Sequence, residues 1–100
     1  MIKHVVLFKF KTFEGEEEKN EKLNNIKTAL LDLKNKLDFL RHIEVGINAN
    51  PSESFDMALI TEFDNMDDLH RYAIHPDHVA VARIIGEIKE NRACVDFVIG

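Results

Sequence analysis

The sequence predicts an α+β fold: a ferredoxin-like βαββαβ protomer in which helices cover one face of a four-stranded antiparallel sheet. The prediction depends on strand-like alternation at both ends and in the middle of the chain, on amphipathic helical patterns between those strands, and on turn-forming residues at the joins. With 100 residues, the chain fits a single domain spanning 1–100.

The first strand is predicted over "IKHVVLFKFK", which is rich in β-branched and aromatic side chains. Successive side chains of a strand point to opposite faces of the sheet, so this stretch has one apolar face and one mixed face. The apolar face carries Ile2, His4, Val6, Phe8 and Phe10, and the mixed face carries Lys3, Val5, Leu7, Lys9 and Lys11.

A long helix is predicted next, over "EGEEEKNEKLNNIKTALLDLKNKL". Acidic residues crowd its first turn, where the helix dipole stabilises negative charge. Apolar residues then recur at every third or fourth position, which predicts one buried stripe formed by Leu23, Ile26, Leu30, Leu33 and Leu37.

Two more strands are predicted in the middle of the chain, over "FLRHIEVGIN" and "FDMALITEF". The segment "NANPSES" between them has the Asn, Pro and Ser content of a turn. The inward faces are expected to carry Ile43, Val45 and Ile47 in the first of these strands and Phe55, Met57, Leu59 and Phe63 in the second.

The last third of the chain predicts a short helix, a longer helix and a fourth strand. "DNMDDLHRYAI" is the short helix, with Asp64 or Asn65 as its N-cap. "HPDHVAVARIIGEIKEN" is the longer one, because Pro76 suits a first helical turn, and "RACVDFVI" is the strand. The buried side of the longer helix is expected to be Val81, Ile84, Ile85 and Ile88.

The face of the sheet that lies away from the helices is expected to be too apolar for water. Right-handed crossovers place both long helices on the same face, which leaves Val5, Leu7, Ala58 and Ile60 uncovered on the other. Such a face predicts a symmetric homodimer that stacks two sheets.

Composition argues against a nucleic-acid-binding, membrane-spanning or disulfide-bonded protein. The formal net charge of −5 disfavours nucleic-acid binding, which needs a basic face. No apolar run approaches the ~20 residues of a membrane span, so no membrane partner is expected. The single cysteine, Cys94, cannot form an internal disulfide; it favours a cytoplasmic location and is expected to be a small buried residue.

The stretch "YAIHPDHV" is the candidate reactive site. His78 falls in the first turn of the last helix, and a partly buried, neutral imidazole there would accept a proton, while Tyr72 could donate a hydrogen bond to an enolate. The same residues also fit a structural corner, with His78 bonded to a backbone carbonyl and Tyr72 an amphipathic anchor. His75 and Asp77 are expected to form that corner, and His4 is either a satisfied core residue or part of a site with His78.

The strand "IKHVVLFKFK", the stretch "YAIHPDHVAV" and the terminal "CVDF" together resemble the stress-responsive dimeric α/β-barrel family, known as Dabb. The resemblance covers nearly the whole chain and implies a homodimer whose two sheets pack into a barrel. One plant branch of that family is a cofactor-free polyketide cyclase that uses aldol chemistry. The resemblance to it implies that Tyr72 and His78 are catalytic and that His4 binds substrate.

The cyclase pocket also has aromatic residues on the first helix, where this chain has Leu23 and Ile26. The resemblance therefore implies an apolar substrate-binding wall of different shape. Two functions stay open: cofactor-independent proton transfer on a carbonyl compound in a small-molecule pocket between sheet and helices, or a non-enzymatic stress-responsive or ligand-binding dimer. A cavity that is lined by both Tyr72 and His78 would favour the first.

No metal or other cofactor is expected from the sequence. His75 and His78 have the spacing HxxH, but Pro76 breaks the chain direction between them, and a metal site needs three or four ligands in fixed geometry. The glycines are isolated and form no phosphate-binding loop. Nothing in the sequence specifically marks a haem pocket.

Overall fold

The computed structural model describes residues 1–100 and has the element order β1, α1, β2, β3, α2, α3, β4. The elements are β1 (Ile2–Phe10), α1 (Glu16–Lys36), β2 (His42–Ile47), β3 (Met57–Phe63), α2 (Met66–Ile74), α3 (Pro76–Ile88) and β4 (Lys89–Val98). The strands form one antiparallel sheet in the order β2-β3-β1-β4. The predicted ferredoxin-like fold is confirmed, with the second helical region divided into α2 and α3.

The core lies between the sheet and the helices. The predicted apolar face of β1 points into it, and Val6, Phe8 and Phe10 are buried there together with His4. All five predicted stripe residues are buried in this core, four of them within α1 and Leu37 at its C-cap. The period-2 pattern of the strands and the helical period of α1 therefore meet on one surface.

The end of the last helix differs from the prediction. α3 ends at Ile88 and β4 begins at Lys89, so "KEN" belongs to the strand rather than to the helix. The backbone of β4 pairs with β1 as far back as Phe10, across an irregularity between Lys9 and Phe10. This pairing outweighs the helical preference of the charged residues.

One residue of the predicted buried side of α3 is also exposed. Val81 and Ile85 are buried and Ile88 is half-buried, but Ile84 is 52% exposed, so its predicted burial was wrong. Ile84 lines a groove between α1 and α3. The apolar stripe of α3 is wider than the side of the helix that contacts the core, so this residue stays outside the core.

The sheet face opposite the helices is apolar across three strands. Val5 lies opposite Ile60 of β3 on one side and opposite Val95 of β4 on the other. Leu7, Val95 and Phe97 of this face are exposed. We refer to Val5, Leu7, Ala58, Ile60, Val95 and Phe97 as the outer face.

β4 is an edge strand, and all 10 of its residues are exposed. The helices leave its inner side uncovered, so Arg92, Cys94 and Asp96 lie at the margin of the core and are not part of it. Cys94 is exposed, and the prediction that it is buried was therefore wrong.

None of the helices is long and apolar enough to cross a bilayer.

Candidate functional site

Two neighbouring cavities open beside β1 and β4, next to the corner between α2 and α3. The larger, about 300 Å³, is lined by residues of both strands and of α2, among them Tyr72 and Asp96. The smaller, about 120 Å³, lies beneath α3. His4, His78 and Arg92 line both cavities, which therefore adjoin each other.

His4 reaches this region because it lies on the inward face of β1, where its cross-strand partner is Asp96 of β4. Nδ1 of His4 is hydrogen-bonded to Oδ1 of Asp96. A carboxylate only accepts, so this bond places a proton on Nδ1 and leaves Nε2 of His4 without a protein partner. The pair holds the imidazole in one orientation, as a carboxylate does in many histidine sites.

His78 reaches the same region from the first turn of α3. Its Nδ1 donates to the carbonyl oxygen of Ala73 across the corner, at 3.1 Å. This contact fixes the tautomer and leaves Nε2 unengaged. Burial lowers the pKa of His78 below its ordinary value of 6.5, and the charges of His4, Arg92 and His75 act in the same direction, while the bond to Ala73 opposes them. His78 is therefore a neutral proton acceptor at neutral pH.

Tyr72 is the most unusual residue of the site. Its side chain is almost completely buried, with its ring 4.3 Å from that of His78 and 5.1 Å from that of Phe63, centroid to centroid. Its hydroxyl has no hydrogen-bond partner in the protein. Burial raises the pKa of Tyr72 well above its ordinary value, so the phenol keeps its proton and can only donate or accept as a neutral group.

The rest of the site comes from β4. Sγ of Cys94 lies 3.5 Å from Nδ1 of His4 and 3.6 Å from Oδ1 of Asp96. Burial raises the pKa of the Cys94 thiol, and the charge of Asp96 adds to this effect, so Cys94 is not an activated nucleophile. Arg92 supplies a positive charge beside both cavities.

His4, Cys94 and Asp96 could also hold a metal ion, since one donor atom of each lies within 4.8 Å of the others. These are nitrogen, sulfur and oxygen donors of the kind that bind Zn²⁺. The pair His75 and His78 does not share this arrangement. Nδ1 of His75 accepts from the backbone N–H of Asp77, at 3.1 Å, and caps α3, as the corner prediction required.

The structure brings together only three of the five residues that the sequence predicted to be catalytic or substrate-binding. His4, Tyr72 and His78 line one cavity. Leu23 is buried in the core and lines neither of these two cavities, and Ile26 lines a groove between α1 and α3 instead. The residue of α1 that reaches the cavity beneath α3 is Leu30, one turn after Ile26.

Sequence reasoning missed the contribution of β4. Arg92, Cys94 and Asp96 occupy alternate positions of one strand, which is the spacing of side chains on a single face. That alternation was visible in "RACVDF". Its pairing with His4 was not, because the register of β4 on β1 is a tertiary property.

Comparison with known proteins agrees with the fold. A curated relative from Arabidopsis thaliana, the stress-response A/B barrel domain-containing protein DABB1, is 30% identical over 98% of this chain, and this chain spans 47% of that protein's length. A solved dimeric protein of unknown function and ferredoxin-like fold from Bacteroides fragilis is 48% identical, with a TM-score of 0.92, over 98% of this chain and 95% of its own. A dimeric ferredoxin-like protein of unknown function from Thermobifida fusca is 25% identical, with a TM-score of 0.84, over 98% and 90%.

The family model for the stress responsive A/B barrel domain matches residues 2–99. This range includes all seven secondary-structure elements and every residue of the site described above. The chain therefore belongs to the stress responsive A/B barrel domain family, Dabb.

Proposed function

We propose that this protein is a cofactor-independent enzyme that transfers a proton on a carbonyl compound. Nε2 of His78 would remove a proton from the carbon next to a carbonyl group, and the electron pair would move onto the carbonyl oxygen. The hydroxyl of Tyr72 would donate a hydrogen bond to that enolate oxygen. The enolate carbon would then attack a second carbonyl carbon of the same molecule, as in the ring closure of a polyketide, and the alkoxide formed there would take the proton from His78. Without a second carbonyl group, the enolate carbon would take that proton back.

One observation carries the proposal: the hydroxyl of Tyr72 is buried without a hydrogen-bond partner, and Tyr72 and His78 line the same cavity. An unsatisfied buried hydroxyl costs about 1–3 kcal/mol. A ligand oxygen in the cavity would remove this cost. The neighbouring His78 is neutral and has one free ring nitrogen, so the residues that supply a hydrogen-bond donor and a proton acceptor line one small cavity.

His4 is proposed as the substrate-binding residue. Its free Nε2 offers a polar contact to the ligand, and Asp96 acts as a positioning residue that holds the ring. Leu23 and Ile26 have no part in this proposal, because neither side chain lines the cavity.

We also propose that the protein is a homodimer formed through the outer face. The support is the exposed apolar surface of Leu7, Val95 and Phe97, which water would disfavour. The Bacteroides fragilis and Thermobifida fusca proteins, both described as dimeric, add support. A second copy stacked on this face would leave the cavities on the other side of the sheet open.

The catalytic proposal is tested by proton exchange. Uptake of deuterium next to the carbonyl of pentan-2-one and of 4-oxopentanoate is followed by NMR in D₂O. We expect exchange above the buffer rate, a fall of about 100-fold or more in His78→Gln, and a fall of about 10- to 100-fold in Tyr72→Phe. His42→Gln, which alters an exposed histidine of β2, is the control and should exchange at the wild-type rate.

A non-enzymatic ligand-binding dimer is the competing function. It is favoured by the tight packing of the Tyr72 ring between Phe63 and His78, which would also serve as a structural anchor. Exchange at the buffer rate for both ketones, together with an unchanged rate in His78→Gln, would reject catalysis. A shift of the His78 ring resonances on adding the ketones would then identify the cavity as a binding site alone.

A further inference from the structure

We propose that the ligand of this site carries a carboxylate, which Arg92 binds through its guanidinium group while Lys89 adds a second positive charge at the cavity. The inference rests on the proposed function and names its substrate class: a small keto acid or aromatic acid rather than a neutral ketone. The assignment comes from the charges that line the two cavities.

The charge of the cavity lining is opposite in sign to that of the whole chain. The chain has a formal net charge of −5, yet the only charged side chains that line the smaller cavity, histidines aside, are Lys89 and Arg92. The larger cavity adds one carboxylate, Asp96, and that carboxylate is already bonded to His4. An anionic group that enters this region therefore meets a surplus of positive charge.

No carboxylate of the chain neutralises these two cations. Neither Arg92 nor Lys89 takes part in an ion pair. Glu90, which lies between them in sequence, is 3.7 Å from Lys9 instead. A ligand carboxylate would therefore not have to displace an existing ion pair of Arg92.

Arg92 also lies close enough to the proposed base to act on the same molecule. Its side chain lines both cavities with His78 and His4, on the same inward face of β4 as Cys94 and Asp96. A planar guanidinium binds a carboxylate through two parallel N–H···O bonds, which fixes the orientation of the ligand as well as its position. Enolisation of a bound keto acid adds a second negative charge, and Arg92 would stabilise that charge too.

The remaining surface of the smaller cavity suits the hydrocarbon part of such an acid. It is apolar and comes from the sheet and both long helices: Val6, Phe8, Leu30, Leu59, Ala82 and Ile85. Cavities of about 120 and 300 Å³ limit the ligand to a small molecule. The lining therefore combines one anion-binding end, one reactive centre and one apolar wall.

The test compares two probes of the same shape, salicylate and salicylamide, by isothermal titration calorimetry at low ionic strength. We expect wild-type protein to bind salicylate at least about tenfold more tightly than salicylamide, since a hydrogen bond between two charged groups is stronger than one to a neutral amide. Arg92→Gln should reduce this preference to less than about twofold. Arg92→Lys, which keeps the charge but loses the fork of donors, should retain part of it.

Arg83→Gln is the matched control. Arg83 is an exposed arginine of α3 that lines neither cavity, and its substitution changes the net charge by the same amount as Arg92→Gln. The proposal is overturned if wild type binds the two probes equally or binds neither at millimolar concentration. It is equally overturned if Arg92→Gln keeps the preference, or if Arg83→Gln loses it to the same extent.

The binding experiment and the proton-exchange experiment can give a negative result independently of each other. Binding is measured with probes that need not react, so a carboxylate preference that depends on Arg92 would stand even where no ketone exchanges its protons. Conversely, exchange that depends on His78 without any preference for salicylate would leave the proton-transfer site in place and reject the anionic substrate.

Discussion

Three histidines of this protein differ in role because their ring nitrogens have different partners. His4 donates from Nδ1 to a carboxylate, His78 donates from Nδ1 to a backbone carbonyl, and His75 accepts at Nδ1 from a backbone N–H. Only the first two keep a free Nε2 beside a cavity. The hydrogen-bond partner of each ring therefore decides which of these histidines has a free nitrogen that can accept a proton.

The pH dependence of the site should follow His78. Its pKa lies below 6.5 in the folded protein, so the proton-exchange rate should be level above about pH 6.5 and fall at lower pH, as His78 becomes protonated. Besides burial, the charges of His4, Arg92 and His75 oppose protonation of His78, while its hydrogen bond to the carbonyl of Ala73 favours it. An NMR titration of the His78 ring should give a midpoint below 6.5. A midpoint at or above 6.5 would contradict the neutral base.

The same shift should make the protein less stable in acid. The unfolded chain binds a proton at His78 before the folded one does, so the contribution of this residue to stability is present above pH 6.5 and is lost as pH falls towards the folded pKa. Urea denaturation at about pH 7.5 and 5.5 should therefore show a smaller acid-induced loss in His78→Gln than in wild type. His42→Gln is the control, since His42 is exposed.

Leu23 should behave as a core residue rather than as part of the pocket. Its side chain is only 1% exposed and touches the apolar cluster between α1 and the sheet. Leu23→Ala should reduce the free energy of unfolding by about 2–5 kcal/mol through the cavity that it leaves. Salicylate affinity, measured where the variant is folded, should be unchanged. A selective loss of affinity with full stability would place Leu23 in the pocket after all.

At the scale of elements, the site is held by the corner between α2 and α3. Pro76 opens α3, His75 has extended backbone and caps it, and the carbonyl of Ala73 at the end of α2 holds His78. The corner thus turns the chain and orients the proposed base in one step. This explains why one short stretch satisfies both the structural and the functional interpretation of the sequence.

The cap can be tested by substitution of His75. His75→Ala removes the acceptor for the N–H of Asp77 and should destabilise the protein by about 1 kcal/mol, as loss of an N-cap commonly does. His75→Asn keeps an acceptor at the cap and should restore most of this stability. Urea denaturation measures both. Equal stability of His75→Ala and wild type would show that the cap contributes nothing to the corner.

At the scale of the whole molecule, one sheet serves two surfaces. Its inner face carries the core and the site, and its outer face carries apolar side chains that no element of this chain covers. The period-2 alternation of β1 separates these two sets residue by residue. The proposed dimer and the proposed site can therefore be altered independently.

The homodimer is tested at Val95, which is 56% exposed in one protomer and lies on the outer face opposite Val5. Val95→Asp would bury a carboxylate between two sheets, and light scattering should show a monomer at concentrations where wild type is dimeric, with a dissociation constant raised by about 100-fold or more. The matched control is Leu31→Asp, which places the same charge on an exposed leucine of α1. A monomeric wild type, or an equal effect of Leu31→Asp, would reject this interface.

Much of the architecture could be predicted from local pattern alone. Strand alternation, the stripe of α1, the N-cap at Asn65 and the Pro76 corner each depend on residues close in sequence, and the structure contains all of them. The start of β4 could not be predicted from local pattern, because "KEN" is polar and its conformation depends on pairing with a strand from the other end of the chain. The exposure of Ile84 likewise depends on which helix lies beside α3.

The candidate site divides in the same way. By itself the sequence determined that Tyr72 and His78 share a helix corner and that His4 lies on the apolar face of β1, since these placements follow from spacing and periodicity. Only the tertiary structure decided that Asp96 bonds to His4, that Arg92 and Cys94 join them, and that Leu30 rather than Leu23 or Ile26 lines the cavity. The physical reason is that these contacts join residues as many as 92 positions apart, and the register and packing that create them minimise the energy of the whole fold rather than of any local segment.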